Sequence, residues 1–305
     1  MTMRFLLSLV LLLSSICLIS SAQMTPADLD VLITRVGPGN PAATGPLALR
    51  AGVSTITQLS SGSILAAFQW FPEDQPEAVD QIAVTFSGDG GTGWSPPQVA
   101  NFIDMPSNIT RQFDPTLVTL ADDRVRMYFT GNPDSSRVLN ENTGIFSAVS
   151  TDGIHYVYEE GLRFGVDDAP VIDCAVVRTD DLFHLYSPIQ GAIGSTYHAT
   201  SSDGLFFERQ DDIVHESGQN WLGCALFIEG KVRFYGTIKK GLNLFGSIWF
   251  ADTSDGTNFG PAQAYEHSSM IGSDPGVLHL DNGLTLITST GKFEAAEVND
   301  WGLLR

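Results

Sequence analysis

Positive charge is scarce in this 305-residue chain: 16 Lys and Arg stand against 35 Asp and Glu, a net charge of −19. A field of that sign repels nucleic acid and anionic membrane surfaces, so neither is expected as a partner. Cysteine is rarer still, with three residues, of which Cys17 falls near the very start. The six histidines show no close pair with zinc-ligand spacing. After residue 22 no stretch of useful length carries a helical period, and no long apolar run follows. Helical folds and membrane-spanning helices are thereby excluded for that part. Nor does any linker or shift in composition divide it, which leaves a single domain. At 43% hydrophobic and 17% charged, the chain can still build a full core.

The one long apolar run opens the chain. Arg4 supplies a positive charge, Phe5 to Ile19 is apolar apart from three serines, and Ser20-Ser21-Ala22 offers small residues for cleavage. This reads as a secretory signal over residues 1–22, with a domain over 23–305 outside the cell or in a periplasm. No membrane attachment is expected after cleavage.

What the remainder has in abundance is turns. Four are alike: Ser87-Gly-Asp89-Gly-Gly91-Thr-Gly-Trp94, Ser150-Thr-Asp152-Gly153-Ile-His-Tyr156, Ser201-Ser-Asp203-Gly204-Leu-Phe-Phe207 and Thr253-Ser-Asp255-Gly256-Thr-Asn-Phe259. Their closing aromatics recur every fifty to sixty residues or so, the period of a β-propeller with one such turn per blade. The Asp accepts backbone N–H groups, the Gly takes a positive φ, and the aromatic folds back between blades.

A second ladder gives the same count. Hairpins begin at Gly52, Asp114, Asp173, Gly223 and Asp274, and their second strands are expected at Ile64–Gln69, Val125–Thr130, Phe183–Ser187, Val232–Gly236 and Leu284–Ser289. Five hairpins make five blades. The last has too little chain for a full blade, while the segment before Gly52 holds two strand candidates, Val31–Val36 and Leu47–Arg50. The expectation is an all-β, five-bladed propeller whose N-terminal strands complete the last blade and close the ring, leaving no exposed sheet edge.

The first strand of each blade lines the central channel, so Asp114, Asp173 and Asp274 would stand at one level of a narrow funnel. Like charges that close raise one another's pKa. The alternative is that each Asp merely caps its own strand start. Cys174 and Cys224 fall at matched positions of adjacent blades and would form a disulfide or act as two buried small hydrophobes. Calcium among the channel aspartates would be chemically apt, since its ligands are oxygens.

Phe113-Asp114-Pro-Thr-Leu-Val, Arg126-Met-Tyr-Phe-Thr-Gly131 and Asp274-Pro-Gly-Val-Leu-His-Leu resemble the blade starts of the five-bladed glycosidase superfamily, which includes arabinanases, xylosidases, invertases and levansucrases. Ser87 to Trp94 is similar to the Asp-box of sialidases. That resemblance gives the turn aspartates a structural role and implies a carbohydrate-handling site on the channel axis. It implies Asp114 or Asp274 as base, Asp173 as the residue that orients and tunes it, and a Glu as acid. Invertase-like members carry Glu-Cys where this chain has Gly223-Cys224, so the acid must come from elsewhere. Glu216 is the candidate, with Trp221 beside it to stack on a sugar and Arg111 flanking the channel; Glu266 is a second choice. The missing Glu also leaves open a propeller that binds glycan or protein without hydrolysis. A sialidase is not expected, because only five blades are countable and Arg50, Arg111 and Arg163 form no evident triad.

Overall fold

The structure, a computed structural model, describes residues 28–38, 42–133, 139–216, 218–238, 247–265 and 272–293. The proposed signal segment, Glu266 and the last twelve residues lie outside these. Among the described residues there is no α-helix, and a 3-10 turn lies at Pro76–Ala78.

The chain opens with β1 (Asp30–Val36) and β2 (Ala43–Ala48). Blade one then takes β3 (Ala51–Gln58), β4 (Ile64–Trp70), β5 (Gln81–Ser87) and β6 (Gln98–Val99). Blade two takes β7 (Asn101–Ile103), β8 (Gln112–Thr119), β9 (Val125–Gly131), β10 (Gly144–Ser150) and β11 (His155–Phe164). Blade three takes β12 (Ala175–Arg178), β13 (Phe183–Pro188), β14 (Ser195–Ser201), β15 (Glu208–Arg209) and β16 (Ile213–Val214). Blade four takes β17 (Gln219–Ile228), β18 (Lys231–Ile238), β19 (Ser247–Thr253) and β20 (Gln263–Ala264). Blade five has only β21 (Ser273–His279) and β22 (Thr285–Gly291) of its own.

β1 supplies what blade five lacks. Its sheet runs β2-β1-β22-β21, with Val31 opposite Thr290 and Ile33 opposite Thr288. The ring is closed as expected, although the second N-terminal strand is Ala43–Ala48 rather than Leu47–Arg50. Arg50 turns the chain with a φ of 52° and cannot continue a strand. The innermost strands β3, β8, β12, β17 and β21 touch in cyclic order, β21 meeting β3. They line the channel.

Each turn is held as its chemistry dictates. Asp152 accepts the N–H groups of Ile154 and His155 at 2.8 Å, Asp203 those of Leu205 (2.8 Å) and Phe206 (3.1 Å), and Asp255 those of Thr257 (2.9 Å) and Asn258 (2.8 Å). These donors favour the ionised carboxylate, and Asp152, Asp203 and Asp255 stay well below the usual carboxylate range. The turn glycines lock neighbouring blades together: the Tyr128 hydroxyl donates to Gly204 O and the Tyr186 hydroxyl to Gly256 O, each at 2.8 Å. The closing aromatics fill the same seams, Phe207 against Tyr128 and Phe259 against Tyr186 and Trp221.

Cys174 and Cys224 are free thiols. Cys174 packs among Val118, Tyr128 and Leu185 between blades two and three, whereas Cys224 packs with Tyr235 and Val277 between blades four and five. They face opposite seams, which rules out the bridge.

Candidate active site at the channel mouth

Each channel strand starts with a kink that the sequence ladder located almost correctly. Asp114, Asp173 and Asp274 adopt φ of 51°, 57° and 52°, and Val53 adopts 48°. A β-branched residue in that region is strained, and such strain accumulates at functional sites. The pairing slips there as a bulge: Phe113 opposes Thr130 and Thr116 opposes Tyr128, while Ser273 opposes Thr290 and Gly276 opposes Thr288. In blade one the kinked residue is therefore Val53, not Gly52. In blade four Gly223 bends the chain with a φ of 153°, and a Cβ there would lie 2.1 Å from Tyr235 O. The register puts Leu222 where the other blades have Asp.

The three aspartates lie near enough for their charges to act on one another. Asp114 and Asp274 are 8% and 9% exposed, and Asp173 is half-buried. Burial and the Asp274 charge push Asp114 up to about 7, against the Arg111 guanidinium and a Thr130 hydrogen bond that pull it down. Burial, then Asp114 and Asp274, push Asp173 well above the carboxylate range. Burial also raises Asp274, while hydroxyl donors from Ser273 (2.8 Å) and Thr290 restrain it. Burial and mutual repulsion thus favour the protonated form of all three carboxyls, and a carboxyl raised toward neutrality is suited to acid–base work.

The sequence matches no protein-family profile and no curated protein. Solved structures do match. A thermostable family-43 glycoside hydrolase superposes with a TM-score of 0.54 at 14% identity, covering 84% of this chain and 92% of its own. A family 117 glycoside hydrolase from the marine bacterium Zobellia galactanivorans gives 0.54 and 14%, covering 92% and 99%. An α-L-arabinofuranosidase from Clostridium thermocellum gives 0.56 and 12%, covering 77% and 80%. The chain shares the five-bladed β-propeller fold of these structures.

In this five-bladed propeller a fourth carboxylate joins the mouth, one that sequence reasoning missed. Asp80, φ 66°, precedes β5 and takes the Arg111 Nε at 2.8 Å and its Nη2 at 3.1 Å, besides a bond from Gln69. The only sequence signal was an acid placed directly before a strand. Arg111 lies over the Phe113 ring, 4.2 Å from its centroid, and reaches Asp114 electrostatically. Its fork is engaged by Asp80, so it shapes the site's field from the rim.

The other two candidates lie elsewhere. Glu216 is exposed and accepts from Gln219 Nε2 (3.3 Å) and Ala262 N (3.4 Å), beside the outer strand β20. His215 pins that loop by bonding Gly260 O at 2.9 Å. The charges that act on Asp173 are Asp114 and Asp274, and Glu216 is not among them. Trp221 is 1% exposed, wedged between Phe234 (4.5 Å between centroids), Phe259 (5.2 Å) and Trp249 (5.4 Å). A ring so enclosed presents no face to a sugar, which corrects the stacking role expected for it. Among the described residues no three His, Cys, Asp or Glu side chains are arranged to hold a metal ion, and no helix is long and apolar enough to cross a membrane.

Proposed function

We propose that the channel mouth is a glycan site and that the protein is a secreted glycoside hydrolase acting on neutral glycosides. One observation carries this: three blades of a glycosidase-type propeller each present an aspartate at the same kinked position, where burial raises all three. In this reading Asp114 or Asp274 is the base. Carboxyls about 5–5.5 Å apart would serve retention, and about 6.5–9.5 Å inversion. The test is a hydrolysis screen over aryl glycosides and polysaccharides. Turnover lost in Asp114→Asn, with folding intact, supports the reading; no turnover on any glycoside rejects it.

A second reading has its own observation. Val53 stands at the kink of blade one and Leu222 at the aspartate register of blade four, and Glu216 lies against the outer edge of blade four. A propeller with that mouth would bind glycan or a protein partner without cleaving it. Saccharide affinity without turnover, abolished by Asp114→Asn, would favour that alternative.

A further inference from the structure

The three channel aspartates are not equivalent, and the difference lies one strand away. Thr130 Oγ1 accepts the Asp173 N–H at 3.0 Å and sits 3.3 Å from Asp114 Oδ2. An ionised carboxylate can only accept, so the Thr130 hydroxyl donates its one hydrogen to Asp114 while its oxygen takes that N–H. Thr290 repeats the device across the ring closure. It accepts the Val53 N–H at 2.8 Å and bonds the Asp274 carboxylate, which also takes the Ser273 hydroxyl. Each relay runs from the next blade's kink, through a Thr at a fixed register, to that Thr's own aspartate. Donors aimed at a carboxylate favour its ionised form.

In blade three the register position of those threonines is Pro188. Thr130 pairs with Ile145 and Pro188 with Thr196, each five residues before the Ser of its Asp turn. Proline's ring offers no hydroxyl. Among the described residues no donor reaches the Asp173 carboxylate, and Asp173 is the most open of the three to the channel. The two charges that act on it both favour its protonated form. Asp114 comes from β8 and Asp274 from β21. Its neighbour Cys174 is a thiol pushed up by burial. Arg111 acts on Asp114 and is held by Asp80.

We propose that Asp173 is the proton-carrying member of the channel triad, with Thr130 and Thr290 as positioning residues that keep Asp114 and Asp274 as bases. This rests on the hydrolase reading for its chemical consequence. The Asp173 carboxyl passes its proton to the glycosidic oxygen as the bond from that oxygen to the anomeric carbon breaks. Water adds to the anomeric carbon, and its surplus proton goes to Asp114 or Asp274. One water is consumed, and the proton returns to Asp173 through solvent when the product leaves. The acid role falls to Asp173, and Glu216 is not required.

Carbon-13 NMR of the full chain, labelled at the aspartate carboxyls, tests it. Asp114→Asn, Asp173→Asn and Asp274→Asn serve only to identify each resonance by its loss. In the unsubstituted protein Asp173 should titrate last, above both Asp114 and Asp274. Thr130→Val should raise the Asp114 midpoint, and Thr130→Ser should restore it. Either Asp114 or Asp274 titrating above Asp173 overturns the proposal, as does a Thr130→Val variant with an unmoved Asp114 midpoint. Should Thr130→Val fail to fold, the titration order decides alone. If Asp173 titrates last and no glycoside is turned over, the proton assignment stands and the hydrolase reading falls. If turnover depends on Asp114 while Asp173 titrates first, the reverse holds.

Discussion

At the scale of single residues, the titrating groups pull stability in opposite directions. Asp114 is raised to about 7 when folded, while its unfolded counterpart ionises near the ordinary carboxylate value. The unfolded chain therefore gives up the proton first, and stability is lost as pH rises from about 4 to about 7. Asp114→Asn removes that loss. It should be more stable than the parent at pH 8 by about 1–3 kcal/mol, an advantage that shrinks steadily below pH 7 in urea titrations. His198 acts with the other sign. Its ring is buried, hydrogen-bonded to His184 Nδ1 at 3.1 Å and stacked 5.1 Å from Tyr186, and burial followed by the His184 charge lowers it to about 4. Here the unfolded state takes the proton first, so stability falls as pH drops from about 6.5 to about 4, by up to about 3 kcal/mol. His198→Phe keeps the ring stack and should flatten that acid limb. A limb of unchanged slope would mean the turn carboxylates alone set it.

At the scale of elements, the turn glycines show what holds one blade to the next. Gly256 has a φ of 76°, and a Cβ on it would meet the His184 ring at 2.1 Å. Gly62 has a similar φ of 86° with nothing within 4 Å. Gly256→Ala should therefore cost about 3 kcal/mol, strain plus overpacking of the seam, against about 1 kcal/mol for Gly62→Ala. Equal costs by denaturant unfolding would show that φ alone matters. These turns were legible in sequence because their chemistry is local: Asp, Gly and an aromatic at fixed offsets. The second strands were legible too, each within two residues at either end, since alternation and flanking turns bound them. The channel kinks were only half legible. Asp114, Asp173 and Asp274 announce themselves, but a bulge adds a residue and shifts equivalence by one, so Gly52 hid Val53 and Gly223 hid Leu222. Trp221 misled because an indole near a loop Glu looks the same in sequence whether it faces the channel or the seam. Asp80 and the threonine relays were out of reach, because they join positions whose contact depends on the pairing register.

At the scale of the whole molecule, ring closure is the constraint on which the rest depends. β1 lies between β2 and β22, so it is an interior strand of the last blade although it comes first in the chain. Val31 is fully buried and packs with Ala51, Phe68 and Trp70, while Ile33 packs with Ile56, Ile64 and Leu286. The N-terminal strand thus joins the hydrophobic clusters at the seam between blades five and one. The Asp30 carboxylate also accepts the N–H groups of Arg50 (3.0 Å) and Phe293 (3.1 Å), tying both ends of the described chain together. A protein beginning at Ala51 would expose the edge of β22, leave these apolar faces open, and free the strand whose Thr290 holds Asp274 and Val53. An unpaired, flat edge of that kind recruits other chains. The shortened protein should aggregate on expression, or melt at a temperature lower by tens of degrees, and a synthetic peptide spanning residues 28–50 should restore part of the loss. A monomeric product that melts cooperatively within a few degrees of the parent would show that four blades and a half suffice, and that the closing strand is an accessory to the ring.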